Sequence, residues 1–293
     1  MDPAELSDPR PSPIAGSWYP GKADVLRRTI ESFLDEAVVP EFEGQPVGLI
    51  VPHAGYLYSG LTAAHAFKVL QGRQFARVII LSPSHQPYHQ PLLTTAHDSY
   101  ATPLGLVPVD RGALKKLDAI LRENAGPELA SVRRDQEHSL EIELPFLQTT
   151  LAEGFWLIPL MMVDQSASLV RLLSTALVKL IQSFPAEEST ILVASSDLSH
   201  FYSERIANRL DGNLAQAVRE FDLNTFYQHK QRGEMEACGL APMATVLQTS
   251  HLLGADQVTI ADYRTSAAVT GDRSSVVGYL SAVISTGKAL AHE

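Results

Sequence analysis

The sequence predicts one α/β domain with a central, largely parallel sheet flanked by helices. The short runs 47–51, 78–81 and 191–194 are continuously aliphatic rather than alternating, the pattern of strands buried on both faces. A helix-like stretch, 60–71, separates the first two and suggests a βαβ unit. No shift in composition and no linker divides the 293 residues, so the reading is a single domain over 1–293.

The other elements follow in order. Residues 1–13 read as an extended arm, because Pro3, Pro9, Pro11 and Pro13 deny it regular hydrogen bonding. The more apolar Ser17-Trp18-Tyr19-Pro20 is expected to dock on the core. Residues 22–37 predict a helix, with Val25, Leu26, Ile30, Phe33 and Leu34 at helical spacing. Segments 92–95 and 105–109 flank a loop containing Pro103 and are expected to pair as a hairpin. A helix is expected over 139–151, its apolar face marked by Leu140, Leu144, Leu147 and Leu151, with a kink at Pro145. A strand at 155–160 follows it. Helices at 169–181, 206–221 and 242–253, and strands at 258–263 and 276–284, complete the pattern.

Composition narrows the function. Apolar residues make up 45% and charged residues 19%, which excludes general disorder. One cysteine excludes an intramolecular disulfide and fits a reducing compartment, so a cytoplasmic location is expected. The formal net charge of -10 repels phosphate backbones and anionic membrane surfaces. The N-terminal residues lack a signal-peptide pattern. The longest apolar stretch, 155–163, is too short to cross a bilayer and contains Pro159.

Position singles out the histidines. Each aliphatic run leads into a polar cluster that carries one. These are Pro52-His53-Ala54-Gly55-Tyr56, Ser82-Pro83-Ser84-His85 and Ser195-Ser196-Asp197-Leu198-Ser199-His200. Ligands of open α/β sheets bind beyond the carboxyl ends of the strands, so parallel strands would bring these histidines to one edge. Two imidazoles and one anionic group make a three-ligand metal site with open positions. The plainer alternative is that each histidine only hydrogen-bonds its own loop.

Two further places carry chemistry. His138 lies in Glu137-His138-Ser139-Leu140-Glu141, where the glutamates, one helical turn apart, can share a face or simply enrich a helix start in acid. Cys238 precedes a helix, a place that favours thiolate, although a lone cysteine is commonly just a small buried hydrophobe. No Gly-x-Ser-x-Gly elbow or Walker loop is present, while a Cys-His nucleophile pair remains open. Trp18, Tyr19, Tyr56, Tyr58, Tyr100 and Tyr202 lie near these segments and suit either a substrate wall or ordinary packing.

Taken in order, Ala15-Gly16-Ser17-Trp18-Tyr19-Pro20, the His53 cluster with Tyr58-Ser59-Gly60, the His85 cluster and Thr102-Pro103-Leu104-Gly105 form a distinctive set. It continues with the His138 segment, the Asp197 segment, Ala237-Cys238-Gly239 and Val277-Gly278-Tyr279. The set resembles the Memo family, called AmmeMemoRadiSam system protein B in prokaryotes, over nearly the whole chain. The resemblance implies a fold like the class III extradiol dioxygenases. It implies one transition metal ion held by His53, His85 and Cys238, with iron or copper foremost and zinc also compatible. It implies that His200, Asp197 and His138 are the catalytic residues of the same pocket, with His200 as acid/base, and that Tyr56, Ser84 and Glu137 border the substrate. It also implies small-molecule or peptide ligands and association with AMMECR-type and radical-SAM proteins. Cysteine in place of the dioxygenase carboxylate makes the site softer.

Three functions compete at this point. One is a metal-dependent oxidoreductase in which His200, oriented by Asp197, moves a proton. Another is a non-catalytic module that uses the pocket for a peptide or protein. The third is a metal-free Cys-His hydrolase acting through Cys238.

Overall fold

The structure is a computed structural model that describes residues 6–152 and 154–287. The first strand is β1 (Pro9–Arg10), followed by α1 (Ala23–Glu36), β2 (Gln45–Val51) and α2 (Tyr56–Phe67). Next come β3 (Arg77–Pro83), β4 (Leu92–Thr95), β5 (Ser99–Thr102), β6 (Gly105–Pro108), α3 (Arg111–Glu123) and β7 (Ala130–Val132). A 3-10 turn at Glu141–Glu143 leads into α4 (Leu144–Thr150), then β8 (Trp156–Met162), α5 (Ala167–Ile181), β9 (Thr190–Ser195) and β10 (His200–Tyr202). The chain continues through α6 (Glu204–Glu220), α7 (Leu223–Gln231), α8 (Leu240–Leu252), β11 (Gln257–Thr265), α9 (Ala267–Thr270) and β12 (Val276–Thr286).

The aliphatic runs form the middle of a nine-stranded mixed sheet. Strands β2, β9, β3 and β8 are parallel neighbours in that order. Leu49, Ile50, Ile79, Ile80 and Val193 are fully buried, as strands covered on both faces require. Antiparallel strands flank this centre: β12 beside β2, and β4 beside β8. β10 and β11 pair with β12, and β7 with β4. Helices α1, α2 and α4 pack together on the sheet, as do α3, α5 and α8. The result is one α/β domain.

The register fixes the site's location. Val51 lies opposite Ser195 and Leu81 opposite Ala194, so β2, β9 and β3 end together at one edge. The first two strands of the expected βαβ unit are not direct neighbours, because β9 lies between them.

Four local expectations are corrected. Pro145 does not kink a helix running over 139–151; it sits in the first turn of α4, where its missing N–H leaves no bond unmade. The hairpin joins β5 to β6, while residues 92–95 belong to the large sheet. Of the expected arm, residues 1–5 lie outside the described residues, while Pro9 and Arg10 do enter a sheet, in register with Ser99 and Tyr100. Helices α3 and α7 were not among the expected elements, although Asp110 and Asp222 cap them by accepting from Ala113 and Asn224 N–H groups.

Candidate metal centre

The loops after the central strands deliver their side chains to one point. His53 lies two residues beyond β2 and is 1% exposed. Its backbone N–H donates to Asp197 Oδ1 at 2.8 Å, and its ring Nδ1 is 2.8 Å from Ser195 Oγ. The other ring nitrogen, Nε2, is 3.1 Å from Cys238 Sγ. His85, just past β3, is held twice by the buried Glu137, through its backbone N–H at 2.5 Å and its Nδ1 at 3.0 Å. Cys238 enters from the start of α8, with its N–H donating to the Asp197 carbonyl at 3.2 Å. Gly239 permits that approach, since a Cβ there would lie 2.5 Å from the Ser195 carbonyl oxygen.

One donor atom from each of His53, His85 and Cys238 lies within 4.8 Å of the others. Metal–nitrogen bonds of about 2.0 Å and metal–sulfur bonds of about 2.3 Å require that kind of closeness. Both imidazoles have Nδ1 tied to a neighbour, the arrangement that orients a histidine to bind through Nε2. The donor set therefore fits a single transition metal ion with open positions. His85, Glu137 and His138 form a second close group. There Glu137 is already committed as an acceptor for His85 and for the N–H groups of His138 and Ser139, so it acts as an orienting carboxylate.

Electrostatics agree with these roles. Burial, reinforced by His138 and His85, holds the His53 imidazole well below its usual range and therefore neutral. The Glu137 hydrogen bond raises His85. Burial alone would raise Glu137, but its hydrogen bonds and charge interaction with His85 prevail and hold it well below the carboxylate range. Burial takes His138 down to about 4. It takes Asp197 up to about 7 against the His53 and Ala54 N–H groups. Burial, with the Asp197 carboxylate, pushes the Cys238 thiol up, so without a cation it keeps its proton. A metal-free nucleophile would need the opposite shift.

Beside His53 and His85 opens a cleft of about 480 Å³, bordered also by His138, Asp197 and His200. Trp18, Tyr58 and Tyr279 form its aromatic wall. The Trp18 ring lies 4.1 Å from that of His138, centroid to centroid. His200 is half-buried where β10 meets β12, and burial lowers it. Asp197 accepts from the backbone of His53 and Ala54, so its carboxylate secures the His53 loop rather than the His200 ring. Tyr56 lies in the core, with its hydroxyl donating to the Ile142 carbonyl at 2.9 Å and its ring 5.0 Å from Phe146. Ser84 shapes the His85 loop, its N–H donating to Met162 and its hydroxyl to Gln86. Glu137 and Glu141 do not share a face. Glu141 turns to the buried Arg10 at 2.5 Å, away from His85.

Three residues have supporting roles that went unread in the sequence. Ser195 and Glu143 lie behind His53, and Arg10 anchors the segment that carries Trp18. Nothing in their spacing singles them out, because each meets its partner only across the fold.

The family model described as "Memo-like protein" matches residues 10–283. A "MEMO1 family protein" of Nitrosopumilus maritimus is 34% identical over 270 residues, covering 91% of this chain and 96% of its own. One from Thermotoga maritima is 33% identical over 283 residues, covering 92% and 98%. Another, from Methanobrevibacter smithii, is 32% identical over 280 residues, covering 92% and 97%. The ordered motifs, the sheet edge that gathers the His53, His85 and Asp197 segments and these matches along the whole chain agree: the protein belongs to the Memo family.

Proposed function

We propose that this protein is a metal-dependent oxidoreductase with a mononuclear centre at His53, His85 and Cys238. The observation that carries the reading is the approach of three donor atoms, two nitrogens and a sulfur, to within 4.8 Å, with the two histidines lining an open cleft. A bound iron or copper ion would supply one-electron chemistry, and the thiolate donor favours the softer ion. The chain supplies the remainder. Glu137 and Ser195 orient the imidazoles. Asp197 fixes the His53 loop. Trp18, Tyr58 and Tyr279 give the cleft an aromatic wall for a substrate. His200, held neutral by burial and lining the cleft, accepts or returns a proton at the substrate.

The test is dioxygen uptake by protein loaded anaerobically with iron or copper, against a panel of reducing small molecules. Metal-dependent uptake that falls about 10²–10⁴-fold in His200→Gln, with metal content unchanged, supports the reading. The second reading, a peptide- or protein-binding module, draws on the exposed Trp18 and Tyr58, which line the cleft, and on the exposed Phe201 beside His200. Phe201 is 77% exposed and holds a left-handed φ of 64°, an uncommon conformation for a bulky residue. Metal binding without turnover on any member of the panel would favour that module.

A further inference from the structure

Behind His53 lies a buried polar cluster whose hydrogen bonds can be assigned by counting protons. Ser195 Oγ has three neighbours: the Ser139 carbonyl oxygen at 2.5 Å, Glu143 Oε1 at 2.9 Å and His53 Nδ1 at 2.8 Å. A serine hydroxyl has one proton to donate and two lone pairs to accept. The Ser139 carbonyl has no proton, so the shortest of the three contacts is attractive only if the hydroxyl donates to it. The other two neighbours must then donate. Glu143 can do so only as a carboxylic acid, and His53 only as the tautomer with its proton on Nδ1.

We propose that Glu143 and Ser195 are positioning residues that lock His53 into the Nδ1–H tautomer, with a neutral Glu143 donating to Ser195 and Ser195 donating to Ser139. In this arrangement all three hydrogen bonds form and the hydroxyl is fully used. Any other assignment leaves two acceptors facing each other in the interior, at a cost that buried polar groups avoid. The consequence is a bare Nε2 on the Cys238 side, where the sulfur lies 3.1 Å away. Glu143 is 1% exposed, and burial together with the Asp197 carboxylate favours its neutral form. A carboxyl group kept neutral can serve as a permanent donor near neutral pH. The inference deepens the metal-site reading, because a bare Nε2 is the form of imidazole that binds a metal.

The experiment uses the full-length, metal-free protein, so its outcome does not depend on whether a metal binds. Ring-15N histidine labelling with long-range proton–nitrogen correlation reads the tautomer directly. The expected result is a protonated Nδ1 and an unprotonated Nε2 for His53, assigned by loss of its signals in His53→Gln. Infrared difference spectra between wild type and Glu143→Gln at neutral pH should show the carbonyl stretch of a protonated carboxyl in wild type only. Ser195→Ala should shift His53 toward the other tautomer and weaken binding of added zinc about 10–100-fold. A protonated Nε2 in the wild type, or a carboxylate signature for Glu143, overturns the proposal even if metal binds. A wild type with the expected tautomer that binds no metal would instead sink the metal-site reading and leave this one standing.

Discussion

Cys238 Sγ lies 3.1 Å from His53 Nε2, although 185 positions separate the two residues in the chain. The contact joins the end of β2 to the start of α8, and Asp197 fixes both sides of it. Its side chain accepts from the His53 N–H, while its main-chain carbonyl accepts from the Cys238 N–H. One residue at the end of β9 thus sets the spacing of two of the three donors.

That spacing depends on a missing side chain. Gly239→Ala would place a methyl 2.5 Å from the Ser195 carbonyl oxygen and 2.6 Å from Ser196 Cβ, so the start of α8 must retreat. The expected stability loss is about 1–3 kcal/mol. Metal affinity should fall as well, because Cys238 moves with the helix. Denaturant unfolding and metal titration of the variant check both effects.

The two histidines of the proposed centre should differ when removed. His85→Ala replaces a half-exposed side chain and should cost on the order of 1 kcal/mol. His53→Ala strands buried partners, Ser195 above all, and should cost about 1–3 kcal/mol. Both should lose tight metal binding while circular dichroism reports a folded chain. Metal stoichiometry left unchanged in both variants would refute the ligand assignment.

The strand-end histidines were legible in the sequence because buried parallel strands have a recognisable pattern and loops beyond their carboxyl ends gather at one edge. Cys238 was legible as a candidate ligand only through the family resemblance, since no local spacing ties it to His53 or His85. Glu137 stood out as a borderer of the substrate, but its role in holding His85 depends on contacts across the fold. Arg10 was invisible within a proline-rich arm, because nothing local predicts that an arginine there is buried between Asp135 and Glu141. Pro145 misled because its effect depends on where the helix begins.

Arg10 gives the strongest structural prediction. Its guanidinium meets Asp135 at 2.6 Å and Glu141 at 2.5 Å, all three groups being almost fully buried. Arg10→Met leaves two buried carboxylates without their cation and should cost about 3–5 kcal/mol. Replacing Asp135 and Glu141 by neutral isosteres in the same chain should recover part of that loss. Thermal unfolding of the single and triple variants measures it, and equal stability of Arg10→Met and wild type would contradict the reading of this cluster.

Glu137 and His85 make the metal-free protein sensitive to pH on both sides. The Glu137 pKa is depressed in the folded state, so its stabilisation is present above about pH 4.3 and fades as pH falls below that value. The His85 pKa is raised, so its share is complete below about pH 6.5 and fades as pH rises through the folded-state value. Stability measured against pH should therefore be flatter for Glu137→Gln than for wild type in both windows. The same variant should bind metal about 10–100-fold more weakly, having lost the carboxylate that orients His85.

The most direct measurement is anaerobic metal binding by wild type beside Cys238→Ser, at several pH values. Burial keeps the Cys238 proton in place until a cation displaces it, so binding through sulfur must release that proton and weaken as pH falls. The account predicts one ion per wild-type chain, and lost affinity or altered metal preference in Cys238→Ser. A serine variant that binds the same metal, equally tightly and with the same pH dependence, would show that Cys238 is a packed residue and that the three-donor centre does not exist.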